Sequence, residues 1–295
     1  MRIVHGPGAH VTPHLLALGY GFTASRLASQ LLPEGWTVTG TSRGAEGLEA
    51  MREQGVTPLK FPGDDLSEAL AAATHVVSSI PPRDTGDPAL DLIEEHLGRM
   101  PRLEWLGLLS TTGVYGDHDG DWVDEDTPLV PHTHRGGLRA TQNDVWMALW
   151  RQHGLPVHVF RLAGIYGPGR SALDRLRAGT ARRIVKPGQV FSRIHVDDIV
   201  QVLRASIAAP NPGCAYNVAD DAPAPPQDVV AFAAELLGVE APPEIPFETA
   251  DLSPMARSFY GENKRVSNKR VKGELGYSFR YPDYRTALRD LLKTV

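Results

Sequence analysis

A glycine-rich turn between an apolar run and an amphipathic segment restricts this chain to few architectures. Residues 15–18 are typical of a buried strand, and residues 22–32 carry apolar side chains at helical spacing. The glycines and small residue between them suit a tight turn, a close backbone approach to a pyrophosphate, and close helix–strand packing. The residues predicted to hold a dinucleotide at this turn are Gly19, Gly21, Phe22, Thr23 and Ala24. An ordinary glycine turn is the alternative.

Strand and helix patterns alternate along the first half of the chain with short connections. Strand-like segments occur at residues 36–40, 58–61, 75–80, 104–110 and 156–162. Such alternation produces parallel strands joined by right-handed crossovers. We therefore predict an α/β protein with a Rossmann-type, doubly wound parallel sheet. A long irregular stretch, 111–134, precedes a helix predicted over 138–152, and loops of this length are usually functional or disordered.

The pattern of the chain changes after residue 162, where Gly, Pro and Arg interrupt short elements. We predict a nucleotide-binding domain over residues 15–162 and a smaller C-terminal substrate lobe over 163–295, partly interleaved with the first domain. Residues 1–14 lack the apolar stretch of a secretory signal and are interpreted as a loose leader.

Composition narrows the classes of function. The formal net charge of −5 gives no indication of nucleic-acid or membrane binding. The single cysteine, Cys214, excludes an internal disulfide and a cysteine zinc cage, and no metal site is predicted. No apolar run approaches the roughly 18–20 residues that span a bilayer. We expect a cytoplasmic protein that binds a small-molecule substrate and forms a homodimer.

The end of the second strand indicates which dinucleotide binds. Sites that prefer NAD usually place Asp or Glu there, whereas this chain has Thr41, Ser42 and Arg43. A guanidinium suits a 2′-phosphate, so Ser42 and Arg43 predict NADP; NAD binding with a solvated Arg43 is the alternative. Further cofactor contacts are predicted after the third and fourth strands, at Asp65, Leu66, Ser79, Ile80 and Pro81. Asp65 is equally typical of a helix cap.

Four segments together resemble the extended short-chain dehydrogenase/reductase family, the NAD-dependent epimerase/dehydratase group. They are residues 19–24, 110–116, 160–169 and 193–198, in the order of the family. The resemblance implies a catalytic Ser or Thr after the fifth strand, then a Tyr and a Lys. By position the hydroxyl falls on Thr111, which would hydrogen-bond a substrate oxygen. The alternative is a strand-end threonine that bonds to the backbone.

The Tyr and Lys of the family are replaced in this chain, as in an atypical subgroup. Counting from the family's lead-in at residues 125–131, the Tyr position falls on Arg135 and the Lys position on Arg139. Because a guanidinium does not deprotonate in proteins, Arg135 cannot take over proton transfer. It could hold a carboxylate, a phosphate or a developing oxyanion, while Arg139 could still bind the cofactor ribose. Gln142 follows, where an acid is common.

Other side chains near the expected cleft are candidates for proton transfer or substrate binding. The proton-transfer candidates are Tyr115, His118, His132, His134 and Tyr166, of which Tyr115 is also a normal part of the family motif. The predicted substrate-binding residues are Arg170, Arg193 and His195, with Arg161 and Lys186 as further basic candidates. Asp197 and Asp198 are interpreted as helix caps.

Two functions follow from the sequence. The first is an NADP(H)-dependent oxidoreductase or epimerase-like enzyme acting on a small carbonyl or sugar-like substrate, with an anionic substrate as one alternative. The second is a non-catalytic dinucleotide-binding protein that acts as a redox sensor or scaffold. The missing Tyr and Lys favour the second, whereas the intact cofactor motif and Thr111 favour the first.

Overall fold

The computed structural model describes residues 12–293, which are organised around one parallel sheet. Its strands, numbered in chain order, are β1 His14–Leu18, β2 Thr37–Ser42, β3 Thr57–Lys60, β4 His75–Ser78, β5 Trp105–Thr111, β7 Val157–Leu162 and β11 Cys214–Val218. The seven strands lie in the order β11-β7-β5-β4-β1-β2-β3. Every neighbouring pair is parallel, which confirms the predicted doubly wound α/β sheet.

Shorter strands form three parallel pairs beside this sheet. They are β6 Trp122–Val123 with β13 Arg265–Val266, β8 Gly164–Tyr166 with β10 Arg193–His195, and β9 Arg183–Val185 with β12 Glu244–Pro246. The helices are α1 Phe22–Leu31, α2 Ala45–Glu53, α3 Ser67–Ala72, α4 Pro88–Glu95, α5 His134–His153, α6 Ala172–Arg177, α7 Val196–Ala208, α8 Pro226–Leu237, α9 Pro254–Phe259, α10 Lys269–Glu274 and α11 Tyr284–Lys293. Among residues 12–293, none of the helices combines the length and apolar character that a bilayer crossing requires.

The central strands are buried on both faces because helices cover the sheet from both sides. In β1, Leu15 and Ala17 belong to one apolar cluster, and Leu16 and Leu18 belong to another. Successive side chains of a strand point to opposite faces, so β1 alone contributes to both layers. The strand begins at His14, whose N–H donates to Thr74 Oγ1 at 2.8 Å, so the predicted leader includes its first residue. Residues 1–11 of that leader lie outside the described residues.

The two parts of the chain share this sheet. β11 comes from the segment predicted as the C-terminal lobe, yet it lies at the sheet edge beside β7. α7 packs against α1, where Asp197 accepts two hydrogen bonds from Arg26. The predicted lobe and the predicted nucleotide-binding domain are therefore interleaved through one shared core.

Candidate functional site

The crevice at the carboxyl ends of β1 and β4 is the candidate ligand site of this sheet. The strand order runs from β1 to β2 and β3 on one side, and from β1 to β4, β5 and β7 on the other. Ligands of open α/β sheets bind where the order reverses in this way. The predicted cofactor segments follow β1, β2, β3 and β4, so the fold brings them to the same edge of the sheet.

The glycine turn after β1 is fixed by the ends of two neighbouring strands. Gly19 has φ +86°, and a Cβ at this position would lie 2.7 Å from Ser79 Oγ. Its N–H donates to Thr41 Oγ1 at 2.8 Å, and its carbonyl accepts from Ser79 Oγ at 2.7 Å. Gly21 is exposed, and a Cβ there would meet no atom within 4 Å. The turn is therefore rigid at Gly19 and open at Gly21.

The start of α1 fits a phosphate group. No side chain caps this helix end, and its first turn carries no acidic residue. Thr23 and Ala24 are buried, which allows the close helix–strand packing that the motif predicted. Phe22 is half-buried, with the Arg170 guanidinium 5.7 Å from its ring centroid. Because free N–H groups at a helix start bind phosphate, a dinucleotide pyrophosphate fits the open space at Gly21.

Arg43 stands exposed directly after β2. Within residues 12–293 its guanidinium has no hydrogen-bond or ion-pair partner. The neighbouring Ser42 hydroxyl accepts a hydrogen bond from the Gly44 N–H at 3.4 Å. A guanidinium with no partner in the protein is free to pair with a phosphate beside this strand.

The residues after β3 differ in what they offer a ligand. The Asp65 carboxylate accepts hydrogen bonds from the Ser67 hydroxyl at 2.6 Å and the Ser67 N–H at 2.9 Å. The hydroxyl contact is the main reason why the pKa of Asp65 is lowered. Asp65 thus closes a turn directly before α3, whose N-cap position is Leu66 and not Asp65. Leu66 is 1% exposed and packs in the core, which leaves only its backbone for a ligand.

The segment after β4 lies against the glycine turn. Ser79 is committed to the Gly19 carbonyl, and Ile80 Cγ1 would lie 3.2 Å from a Cβ at Gly19. Ile80 is half-buried and Pro81 is exposed. This segment therefore forms the wall of the crevice opposite β2.

α5 lies against the carboxyl end of β5. Arg139 Nη1 donates to the Leu109 carbonyl at 3.3 Å, and a Cβ at Gly136 would lie 2.9 Å from the Gly113 carbonyl oxygen. The chain after Thr111 is thus in contact with the first turn of α5. The structure brings Thr111, Arg135 and Arg139 to one region, as the family's order implies.

Thr111 itself serves the backbone in this structure. Its Oγ1 accepts a hydrogen bond from the Gly113 N–H at 3.1 Å and caps a short 3₁₀ turn over Thr112–Tyr115. The residue remains partly exposed, and a hydroxyl that accepts one hydrogen bond still has its proton to donate. The strand-end arrangement and a substrate contact are therefore compatible.

A buried carboxamide orients Arg139. Gln142 is 1% exposed, and its Nε2 donates to Asp87 Oδ2 at 2.7 Å and to the Ile80 carbonyl at 3.3 Å. Its Oε1 accepts from Arg139 Nη1 at 2.8 Å. The sequence indicated Gln142 but not Asp87, which is far away along the chain. The one feature of the sequence that marks Asp87 is its place directly before Pro88, because an Asp followed by a Pro is common at the start of a helix.

Arg135 and Arg139 carry adjacent positive charges. Burial lowers the pKa of Arg139, the charge of Arg135 lowers it further, and Asp87 acts in the opposite direction. Arg135 is exposed in the first turn of α5. Neither guanidinium forms a salt bridge with any residue in the 12–293 range. The Tyr and Lys positions of the family thus hold two cations without a salt bridge in this range, and the Asp87 carboxylate acts on Arg139 from behind Gln142.

Tyr115 and Arg161 lie in an internal polar network and not in the crevice. The Tyr115 hydroxyl donates to Asn217 Oδ1 at 2.7 Å and accepts from Arg161 Nη1 at 2.8 Å. Tyr115 is fully buried, and burial raises its pKa. Arg161 also contacts Asn143 Oδ1 at 3.3 Å and the Glu125 carbonyl at 3.2 Å. Tyr115, a candidate for proton transfer, therefore has a structural role in this structure. Arg161, a candidate for substrate binding, is likewise held in the interior.

The three predicted substrate residues are separated. His195 is 1% exposed and its Nδ1 accepts from the Asp197 N–H at 3.2 Å, so His195, and not the predicted aspartates, caps α7. Burial lowers the pKa of His195 to about 4. Arg193 Nη1 donates to two backbone carbonyls, each at 2.9 Å. Arg170, above Phe22, is the one of the three that lies beside the predicted dinucleotide turn.

The remaining proton-transfer candidates are separately engaged or buried. His118 Nε2 contacts a backbone carbonyl at 3.1 Å, and His132 Nδ1 accepts a backbone N–H at 3.3 Å. His134 pairs with Asp84 at 2.8 Å on the surface. Tyr166 is buried, and burial raises its pKa. The carbonyl that His118 contacts is that of Tyr115, so these two candidates meet through the backbone and not through their side chains.

Two curated relatives share sequence with this chain. Protein YeeZ of Escherichia coli strain K12 is 32% identical over 287 residues, which covers 90% of this chain and 95% of that protein. A 3-diazoavenalumate denitrifying reductase from Streptomyces sp is 30% identical over 182 residues, or 56% of this chain and 58% of the reductase. No family model matches the chain.

Solved structures share the fold over nearly the whole chain. A functionally unknown conserved protein from Silicibacter pomeroyi DSS is 53% identical with a TM-score of 0.91, covering 96% of this chain and 99% of that one. UDP-glucuronic acid 4-epimerase from Bacillus cereus, solved with NAD, is 16% identical with a TM-score of 0.77, covering 95% and 99%. At 16% identity, the likeness to the epimerase shows a shared fold. A putative NAD-dependent epimerase/dehydratase from Methylobacillus flagellatus is 26% identical with a TM-score of 0.68, covering 96% of this chain and 98% of that one. Through its sheet, its motifs and this likeness, the chain belongs to the extended short-chain dehydrogenase/reductase family, in the NAD-dependent epimerase/dehydratase group.

Proposed function

We propose that this protein is an NADP(H)-dependent oxidoreductase or epimerase-like enzyme that acts on a small carbonyl or sugar-like substrate. The observation that carries the proposal is the glycine turn, held at Gly19 by Thr41 and Ser79 and open at Gly21 before an uncapped α1. The cofactor would supply hydride transfer to or from a carbonyl carbon. A relative named as a reductase and a fold neighbour solved with NAD support this class of chemistry.

Arg43 supports NADP over NAD. It is an exposed cation without a partner within the described range, and it stands where the second strand ends. No acid stands at the end of β2 to bind a ribose 2′-hydroxyl, because Ser42 and Gly44 flank Arg43. The bound 2′-phosphate would give this guanidinium its ion pair.

The proposed roles at the reacting end follow from the chemistry of the side chains. Thr111 would donate its hydroxyl proton to a substrate oxygen. Arg139, held by Gln142 and the Leu109 carbonyl, would bind the ribose of the cofactor. Arg135 would stabilise negative charge without moving a proton, since its guanidinium stays protonated.

A titration with the two reduced cofactors tests the proposal. NADPH should bind wild-type protein more tightly than NADH, as followed by cofactor fluorescence. Arg43→Ala should weaken NADPH binding by about 1–3 kcal/mol and leave NADH binding unchanged. Arg52→Ala is the matched control, because Arg52 is an exposed arginine on the adjacent α2 and pairs with Glu49. Equal affinity of the wild type for both cofactors would contradict the preference for NADP.

A non-catalytic dinucleotide-binding protein is the second candidate, and the arginines at the Tyr and Lys positions favour it. The two functions differ in turnover. Loss of NADPH absorbance on addition of any member of a panel of aldehydes, ketones and oxo acids would support the enzyme. Tight NADPH binding without oxidation by any member would support the sensor or scaffold.

A further inference from the structure

We infer that the start of α5 is an anion site that takes the acidic group of the substrate, a carboxylate or a phosphate ester. The inference rests on the proposed function, because it names the class of substrate for the same crevice. It is carried by the charges of Arg135 and Arg139, by the end of the helix on which they lie, and by the exposure of Arg135 close to the chain that follows Thr111.

The two arginines form a cationic pair that has no salt bridge among residues 12–293, and the Asp87 carboxylate acts on Arg139 from behind the Gln142 amide. They are one helical turn apart on α5, so their side chains lie on the same face of the helix. Arg139 donates to neutral acceptors only, the Leu109 carbonyl and the Gln142 amide oxygen. Arg135 has no partner within residues 12–293. Like charges at this spacing destabilise a helix, and a bound anion would relieve the repulsion.

The helix end adds to the same field. The first turn of α5 carries no acidic residue, and it holds His134 and Arg135 where acidic residues are normally favoured. His134 has a carboxylate within reach, Asp84 at 2.8 Å. Arg135 has none among residues 12–293, and it lies beside Arg139 at the positive end of the helix dipole, where Thr133 Oγ1 accepts from the Gly136 N–H. An oxyanion in this position would interact favourably with all three.

The first turn of α5 is accessible and lies close to Thr111. Arg135 is exposed there, so a ligand can reach its guanidinium from the solvent. Gly136 packs against the Gly113 carbonyl, which ties this turn to the chain that follows Thr111. A substrate with an oxygen on the Thr111 hydroxyl and an acidic group on Arg135 fits this arrangement. Small oxo acids and phosphorylated carbonyl compounds have that pattern.

Calorimetry on the full chain saturated with NADP⁺ tests the site with three probes. Oxamate presents a carboxylate beside an amide carbonyl, methyl phosphate presents a phosphate ester, and ethyl oxamate is the neutral control for oxamate. At least one of the two anions should bind at least ten-fold more tightly than ethyl oxamate. The tighter of the two identifies the acidic group of the substrate class.

Variants locate the site. Arg135→Ala should weaken binding of that anion at least ten-fold and leave NADP⁺ binding unchanged, and Arg135→Lys should give an intermediate loss. Arg151→Ala, an exposed arginine in the last turn of the same helix, should bind as the wild type does. Anion binding that is equal in wild type and Arg135→Ala, or no tighter than that of ethyl oxamate, overturns the inference. Failure of NADPH to bind in the titration with the two reduced cofactors would instead overturn the proposed function.

Discussion

Gln142 and Asp87 are joined by a buried hydrogen bond that determines which way the Gln142 amide points. The carboxylate of Asp87 also accepts from Trp146 Nε1 at 2.7 Å and from the Ala89 N–H at 3.0 Å, so it is held in place. The Nε2 amide group of Gln142 donates to Asp87 and to the Ile80 carbonyl. The amide oxygen Oε1 must therefore point toward Arg139. Arg139 is therefore positioned by a neutral group that is itself positioned by a carboxylate.

Gln142→Glu should destabilise the protein in a pH-dependent manner. The new carboxylate would be buried beside that of Asp87, and these two effects should raise its pKa in the folded state by more than the ion pair with Arg139 lowers it. A raised folded-state pKa means that the lost stability returns as the pH falls. Denaturant unfolding should show a loss of about 1–3 kcal/mol at pH 8 that shrinks at pH 5. Gln152→Glu, exposed on the same helix, should have little effect at either pH.

Gly21→Val should abolish cofactor binding and leave the fold intact. Space is open around Gly21, whose φ of −105° suits any residue, so valine causes no clash within the protein. The side chain would instead fill the space of the pyrophosphate. Circular dichroism and calorimetry with NADPH would follow folding and binding. Gly19→Ala is the contrasting variant, because its Cβ would lie 2.7 Å from Ser79 Oγ at positive φ, and it should lose stability as well. Undiminished NADPH affinity in folded Gly21→Val protein would show that the turn does not bind the cofactor.

The Asp220 carboxyl group should make stability fall as the pH rises. Asp220 is 1% exposed, and burial raises its pKa from 3.8 to about 8. The folded state therefore holds this proton more tightly than the unfolded state, and the associated stability is lost between about pH 4 and pH 8. Asp220→Asn should remove this loss, which is about 1.4 kcal/mol per pH unit at most. If the unfolding free energies of the wild type and of Asp220→Asn changed with pH in parallel, the raised pKa of Asp220 would be contradicted.

Arg135→Tyr combined with Arg139→Lys should raise the rate of NADPH-dependent carbonyl reduction, whereas Arg135→Tyr alone should not. The tyrosine restores a proton donor, but a lysine is needed beside it to lower its pKa. The Leu109 carbonyl and the Gln142 oxygen, which now accept from Arg139, are suitable acceptors for an ammonium group as well. NADPH consumption with the neutral aldehydes and ketones of the panel would measure the effect, because neither variant keeps Arg135 to bind an acidic group. A single Arg135→Tyr variant as active as the double variant would refute this division of roles.

The sheet was predictable because it depends on local patterns, whereas the start of α5 was not. Apolar runs of strand length identified β1, β4, β5 and β7 to within a few residues. α5 was predicted to begin at Leu138 but begins at His134, after a Thr133 cap. Gly136 and Gly137 have poor helix propensity and obscured the first turn. Gly136 is required there by its contact with the Gly113 carbonyl, which is a tertiary effect.

The internal polar network lies beyond what a sequence can show. Arg161 and Tyr115 looked like groups for a substrate because both are polar and belong to family motifs. Their real partners, Asn143 and Asn217, come from segments that meet only in the folded chain. Which polar side chains pair in the interior depends on distances across several elements, and neither periodicity nor spacing encodes these.

The pairing of β11 with β7 means that the cofactor-binding half is not self-contained. All residues of β7 are buried, and its pairing with β11 runs from His158 opposite Cys214 to Leu162 opposite Val218. A fragment that stops at residue 162 would leave β7 as a bare edge strand with a row of unpaired N–H and C=O groups. Unprotected apolar edges of this kind recruit strands from other molecules, so such a fragment should aggregate. β11 therefore protects the edge of β7 against self-association as well as completing the core of the sheet.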